Sequence, residues 1–258
     1  MKKIFLTFVL ILGLIIPTQA ANFFQGGVEK EIILGGNSVV DAQTNLPIQG
    51  AKITLPLDGY STKSDAQGHF NLNANISAPT VLSIEKEGYK PFSLTINKLD
   101  TSKPLVLAIE KSTLKDLTLD TQMFHLGDNS FSPNSANARE FQVESIGPFY
   151  TKNFNIPKTA TKASLVIGSI IGLDTKMAKA MGQNKISNAY SSPAEVFFNG
   201  IKISELQLNG DGQKIKLPPN LIKAGSKNEI TIKTGRNMLS ENVDYDDIEI
   251  MNISLETE

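Results

Sequence analysis

Apolar side chains recur at every second position along most of this chain. Ile53, Leu55 and Leu57 alternate with polar or proline residues, and short runs with the same period follow as far as Ile109. A period of two places successive side chains on opposite faces of a β-strand. Turn-forming residues separate the runs, and we expect the turn at residues 65–68 to close a hairpin. This first block therefore predicts a β-sandwich or barrel without helices.

The same kind of pattern continues in the second half of the chain. Residues 163–171 are almost continuously apolar, which predicts a central strand covered on both faces. Asn199-Gly200 predicts a hairpin turn, and the apolar positions shift phase in the last strand, which predicts a bulge near Ile250. Residues 112–119 contain no long Pro- or Gly-rich stretch, so we expect the two blocks to be closely joined.

The first twenty residues have the features of a targeting segment. Met1-Lys2-Lys3 is followed by an apolar run at residues 4–16 and then by small residues that end at Ala20. This order predicts a signal peptide at residues 1–20, because the apolar run is shorter than the roughly 20 residues that span a bilayer. With no cysteine after the run, the chain is not expected to be a lipoprotein. We expect an exported protein, periplasmic or extracellular, with no membrane span in the mature chain.

The amino-acid composition excludes several classes of function. Lys and Arg total 25 against 26 Asp and Glu, a balance that gives no support to nucleic-acid binding. The absence of cysteine excludes disulfides and thiolate nucleophiles, and the two histidines leave little material for a multi-histidine centre. No hydrolase, metalloprotease or phosphate-loop motif is present, and the Gly-rich residues 209–212 are too short for one and predict a tight turn. We therefore expect a protein that is not an enzyme.

A group of short motifs in the first block resembles a known family. The residues are Val39-Val40-Asp41, Pro47-Ile48, Gly50-Ala51, residues 61–70 and Gly88-Tyr89-Lys90-Pro91. Together they resemble the carboxypeptidase regulatory-like domain over residues 35–111. The resemblance implies a transthyretin-like, seven-stranded Greek-key sandwich that acts as a structural or adhesive accessory.

The second block, residues 115–258, resembles a galactose-binding-like jelly roll, the fold of many carbohydrate-binding modules. The resemblance is carried by residues 124–128, 196–200, 217–225, 228–232 and 246–250. The predicted fold class is therefore all-β, with two tandem β-sandwiches: a prealbumin-like domain followed by a jelly roll. The second domain is the one expected to bind a ligand.

Acidic residues flank the first and last strands of the second block. Asp128 follows the first strand, and Asp246 and Asp247 precede the last one. The first and last strands of such sandwiches are neighbours, so these oxygens are expected to converge, and Ca²⁺ binds six to eight oxygen ligands. The resemblance implies a structural calcium for Asp128 and Asp247. The alternative is that the acids solvate a loop and protect an edge strand.

The longest irregular segment, residues 172–192, is the candidate for ligand binding. Residues 175–181 predict a helical turn, and Asn184, Asn188 and Tyr190 offer amides and a ring to a sugar; Tyr245 is a second candidate ring. The alternative for this segment is a flexible insertion. The sequence therefore predicts a non-catalytic protein that binds carbohydrate or a cell-surface protein, with a structural or assembly protein of the envelope or matrix as the rival.

Overall fold

The protein is described here by a computed structural model that covers residues 36–74, 76, 80–96, 103–129, 141, 143–183, 193–236 and 245–258. The predicted signal peptide lies outside these residues. Strands dominate the described part, so the predicted all-β class is confirmed. None of its helices is long and apolar enough to cross a membrane. Residues 35–258 form a single compact unit.

Seven strands surround the first hydrophobic core. They are β1 (Asn37–Asp41), β2 (Lys52–Leu55), β3 (Tyr60–Lys63), β4 (His69–Phe70), β5 (Thr80–Glu85), β6 (Phe92–Ile96) and β7 (Val106–Ile109), with a 3-10 turn at Pro56–Asp58. One sheet has the order β4-β1-β7 and the other β3-β2-β5-β6. The buried side chains of both sheets, among them Val39, Ile53, Leu82 and Leu107, form the core between them. Two sheets with one core between them form a β-sandwich, as the pattern of this block predicts.

The turn at residues 65–68 differs from the prediction. It is tight, because the Asp65 carboxylate accepts the backbone N–H groups of Gln67 and His69. However, β3 pairs with β2 and β4 pairs with β1, so the turn connects two sheets instead of closing a hairpin. Gly68 is required there, since it has φ of 75° and a Cβ would lie 2.6 Å from the Val39 carbonyl oxygen.

Eight strands form the second sandwich. They are β8 (Asp116–Leu126), β9 (Phe149–Asn155), β10 (Ala163–Ile171), β11 (Ala194–Phe198), β12 (Ile201–Leu206), β13 (Gly210–Leu217), β14 (Lys227–Lys233) and β15 (Ile248–Thr257), with helix α1 at Lys176–Ala180 and a 3-10 turn at Pro219–Leu221. The sheet orders are β13-β10-β15-β8 and β12-β11-β14-β9. Two four-stranded sheets in these orders make an eight-stranded jelly roll.

Local details of the second sandwich follow the sequence closely. Asn199 and Gly200 have positive φ and close the β11–β12 hairpin as predicted. The first and last strands, β8 and β15, are neighbours, and their register shifts beside Asn252, which has φ of 56°. The predicted bulge therefore lies at Asn252, two residues beyond Ile250. Strand β10 is central in its sheet and packs against β6 on its second face, which explains its continuous apolar run.

The two cores are joined by polar contacts and a small apolar cluster. Asp211 on β13 accepts the Thr95 backbone N–H at 3.0 Å and hydroxyl at 2.7 Å, and also the Ser169 hydroxyl at 2.6 Å. Its carboxylate therefore covers the free edge of β6, and residues 209–212, predicted as a tight turn, instead lead into strand β13. Met251 packs beside Val81 at the same junction.

Four connections of the second sandwich leave it at one end. The strand registers place the ends of β8, β10, β12 and β14 and the starts of β9, β11, β13 and β15 together. We call this the loop end; its connections are residues 127–148, 172–193, 207–209 and 234–247. The other end holds residues 156–162, 199–200 and 218–226.

Candidate functional site

His125, the penultimate residue of β8, lies buried at the base of the loop end. Its Nδ1 donates to the Val143 carbonyl oxygen at 2.7 Å, and its Nε2 lies 2.8 Å from Asp247 Oδ1. Burial alone lowers the pKa of His125, but the hydrogen bonds with Asp247 and Val143 outweigh burial, and the net pKa shift is upward. The ring is therefore held in place by two oxygens, and Phe141 packs on it at 4.8 Å between centroids.

Two glycines make room for this arrangement. A Cβ at Gly127, where φ is 142°, would lie 2.1 Å from Asp247 Oδ1. A Cβ at Gly172, where φ is 89°, would lie 2.4 Å from the Phe141 ring. Each position thus needs glycine both for its backbone angle and for the close approach of a neighbouring side chain.

Glu249 brings a second acid into the same region. It is buried and stands opposite His125 in the β15–β8 register. Burial raises the pKa of Glu249 to about 7, and the charge of His125 only partly offsets that effect. The chain therefore buries a group that titrates near neutrality beneath the loop end.

Asp128 and Asp247 are neighbours, but their hydrogen bond joins a backbone N–H to a carboxylate and does not bring two carboxylates onto one ion. The Asp128 backbone N–H donates to Asp247 Oδ1 at 2.9 Å, so that oxygen is shared with His125. Asp246 joins the β14–β15 connection through its backbone, donating to the Gly235 carbonyl at 2.9 Å and accepting from the Thr234 hydroxyl.

These acids do not form a metal site within the described part of the chain. No three His, Cys, Asp or Glu side chains among its residues are grouped to hold a metal ion. Asp247 Oδ2 is buried there without a hydrogen-bond partner, but one such oxygen is far from the shell that Ca²⁺ needs. The calcium site at Asp128, Asp246 and Asp247 stays a prediction.

The predicted sugar-contacting residues are only partly described. Asn184, Asn188 and Tyr190 lie outside the described residues. Tyr245 is half-buried, and its backbone forms a bridge with Arg236 at the loop end. Of the predicted ligand-binding residues, Tyr245 alone lies within the described part of the chain.

Helix α1 confirms the predicted helical turn in the β10–β11 connection. The Thr175 hydroxyl caps it by accepting the Ala178 N–H at 3.0 Å. Gln183, just after the helix, exchanges two hydrogen bonds with the Asn209 backbone, both at 3.0 Å. These contacts tie the β10–β11 connection to the neighbouring β12–β13 connection. Met177 on the helix is left exposed.

Comparisons with known proteins do not assign this chain to a family. No family model and no curated protein matches the chain, so the resemblance to the carboxypeptidase regulatory-like domain stays a prediction. Among solved structures, the carbohydrate-binding module CBM36 in complex with calcium and xylotriose is similar at 11% identity and a TM-score of 0.26, over 56% of this chain and 100% of that one.

The ANX2 ectodomain from Arabidopsis thaliana is similar at 8% identity and a TM-score of 0.26, over 83% of this chain and 75% of that one. TM-scores this low carry no argument about what this protein binds. The fold itself defines the class: an all-β protein built of β-sandwich sheets, whose second sandwich gathers its long connections at one end.

Proposed function

We propose that this protein is an exported, non-catalytic binding protein that recognises a carbohydrate through the loop end of its second sandwich. One observation carries the proposal: the strand ends from which four connections emerge lie at one end of a jelly roll whose base is fixed by buried hydrogen bonds. Rigid sandwiches that present clustered loops are a common way to hold binding residues, because the scaffold limits the ordering cost of the loops.

The chemistry of the base favours binding over catalysis. Catalytic acids and bases must reach the substrate, yet His125 and Glu249 are both shielded from solvent. The hydrogen bond between His125 and Asp247 instead joins the end of β8 to the residue before β15, where one of the connections begins and another ends. Nearby, the half-buried Tyr245 and the exposed Asn129 offer a ring for stacking and an amide for hydrogen bonding with a sugar.

The test is a glycan array probed with the purified protein in calcium and, separately, in EDTA. We expect selective glycan binding that Tyr245→Ala weakens about fivefold or more, taking as a guide the roughly 1–3 kcal/mol that an aromatic side chain contributes when a nucleobase stacks on it. Tyr245→Phe keeps the ring and should keep the binding. Tyr60→Ala, in the first sandwich, is the matched control. Silence on the array in both solutions would remove the carbohydrate proposal.

A second candidate is contact with a protein partner of the envelope or matrix. Ile146, Phe149, Met177 and Met181 are large apolar side chains left exposed on elements of the loop end. Exposed apolar side chains of this kind are frequent in protein interfaces, and methionine adapts to varied surfaces. Binding to a defined envelope protein that is lost in Met177→Gln/Met181→Gln, and that neither sugar nor chelator inhibits, would favour this candidate.

A further inference from the structure

A charged cleft lies at the junction of the two sandwiches, near the end opposite the loop end. We call it the seam cleft. It has a volume of about 500 Å³, within the range of roughly 300–1,000 Å³ that is usual for ligand sites. Its walls come from both sandwiches: Lys90 and Glu110 from the first, and Ser164, Lys216 and Glu256 from the second.

The floor of the cleft is one cross-strand row of side chains. Lys216 pairs with Ser164, Ser164 with Glu256, and Glu256 with Asp116 across β13, β10, β15 and β8. Residues paired in this way point to the same face of a sheet, so the four side chains lie side by side. The two acids of the row occupy one half of the floor, and Lys216 occupies the opposite edge.

Lys90 neutralises the acidic half. Its Nζ lies 3.0 Å from Glu256, 3.2 Å from Glu110 and 3.5 Å from Asp116. Lys214 pairs with the other oxygen of Glu256. Glu110, Asp116 and Glu256 are therefore already paired with Lys90 or Lys214.

Two lysines of the cleft are left without such partners. Six lysines and four acidic side chains line it, which leaves an excess of positive charge in a chain whose net charge is −1. Lys111 pairs with Asp41 at 3.6 Å and Lys162 with Glu258 at 3.3 Å. Lys115 and Lys216 form no ion pair with any residue in the described ranges, and both are exposed.

We propose that the seam cleft binds an acidic oligosaccharide: the ammonium group of Lys115 holds one carboxylate, and that of Lys216, on the other side of the floor, holds another. Hydrogen bonds between ammonium and carboxylate are among the stronger polar contacts of proteins. The Ser164 hydroxyl and the Gln43 amide line the same cleft and offer partners for sugar hydroxyls. Pro219, also in the lining, gives a small apolar surface for one face of a sugar ring.

This site is separate from the loop end, and the Tyr245→Ala variant distinguishes the two: sugar binding that this variant loses belongs to the loop end and to the function proposed above. Isothermal titration at low salt compares digalacturonate, neutral galactose and inorganic phosphate. We expect digalacturonate to bind and galactose not to bind. The Lys115→Ala/Lys216→Ala variant should weaken digalacturonate binding about tenfold or more, because it removes a charged hydrogen-bond donor at each position. Tyr245→Ala, at the loop end, should leave it unchanged.

The matched control is Lys223→Ala/Lys227→Ala, which removes two exposed lysines at the same end but outside the cleft. Thermal unfolding checks that both double variants are folded. Absence of digalacturonate binding overturns the site, and so does an equal loss in the control variant, which would mean diffuse charge attraction. Phosphate that binds as tightly as digalacturonate, or galactose that binds equally well, overturns the assignment to an acidic sugar.

Discussion

Glu249 is the residue whose burial is hardest to explain by packing alone. It occupies a buried position on β15, opposite His125, where an apolar side chain would be expected. Its raised pKa means that the folded protein holds a proton that the unfolded chain releases near pH 4.5. When the native state binds more protons, the free energy of unfolding falls as pH rises.

We therefore predict that the protein loses stability as pH rises from 4.5 to about 7, by about 3.5 kcal/mol at most, at about 1.4 kcal/mol per pKa unit. The raised pKa of His125 acts in the same direction, since the favourable charge is lost when the ring deprotonates. Glu249→Gln should flatten the pH dependence in this window and stabilise the protein at pH 8 by about 1–3 kcal/mol.

Urea unfolding between pH 4.5 and 8 measures this effect. Glu87→Gln, at an exposed position, is the control and should follow the wild type. Asp41, whose pKa is lowered, is present in both the wild type and Glu249→Gln, so its contribution cancels when their stabilities are subtracted. A wild-type stability that rises with pH across this window, or an equal response of the control, would contradict the account of Glu249.

At the scale of elements, the sequence pattern predicted the strands and turns that depend on neighbouring residues. The continuous apolar run of β10 and the Asn199-Gly200 turn became the predicted elements, and the period of two around Ile53 became β2, although Leu57 lies in the 3-10 turn that follows. The turn at residues 65–68 kept its local geometry, yet the strands on either side pair in different sheets. Its sequence specifies a tight turn, whereas sheet membership depends on the pairing of β3 and β4 with distant strands.

The candidate site was predicted less completely, because its contacts join distant parts of the chain. His125 and Asp247 are 122 positions apart, so their hydrogen bond has no local pattern. The convergence of Asp128 and Asp247 was predictable only through the expectation that β8 and β15 are neighbours. One signal was readable for Glu249: a charged residue inside the apolar run formed by Ile248, Ile250 and Met251.

The contact between strands β13 and β6 can be tested through Asp211. Its carboxylate accepts hydrogen bonds from Thr95 and Ser169, and so joins β13 to the edge of β6. We predict that Asp211→Ala destabilises the protein by about 1–3 kcal/mol, because it leaves donors at the junction without their acceptor. Chemical denaturation gives the value. Glu205→Ala, which removes an exposed ion pair with Lys202, should cost less than about 1 kcal/mol. Equal effects of the two substitutions would contradict this role of Asp211.

At the scale of the whole molecule, the junction makes two cores behave as one body. Residues 35–258 form a single compact unit, and contacts such as Lys90–Glu256 and Thr95–Asp211 cross between the cores. We predict a single cooperative transition in differential scanning calorimetry, with agreement between calorimetric and van't Hoff enthalpies. Two resolved transitions in the wild type would mean that the cores unfold independently and that the junction couples them weakly.

The central claim is that the loop end of the second sandwich binds a carbohydrate, and NMR mapping tests it most directly. The purified, isotope-labelled protein is titrated with the glycan that the array selects. We predict that amide shifts concentrate at residues 127–129, 143–147, 234–236 and 245–247, with little change in β1 to β7. Shifts confined to the first sandwich or to the outer face of the β12-β11-β14-β9 sheet, or the absence of any selected glycan, would contradict the claim.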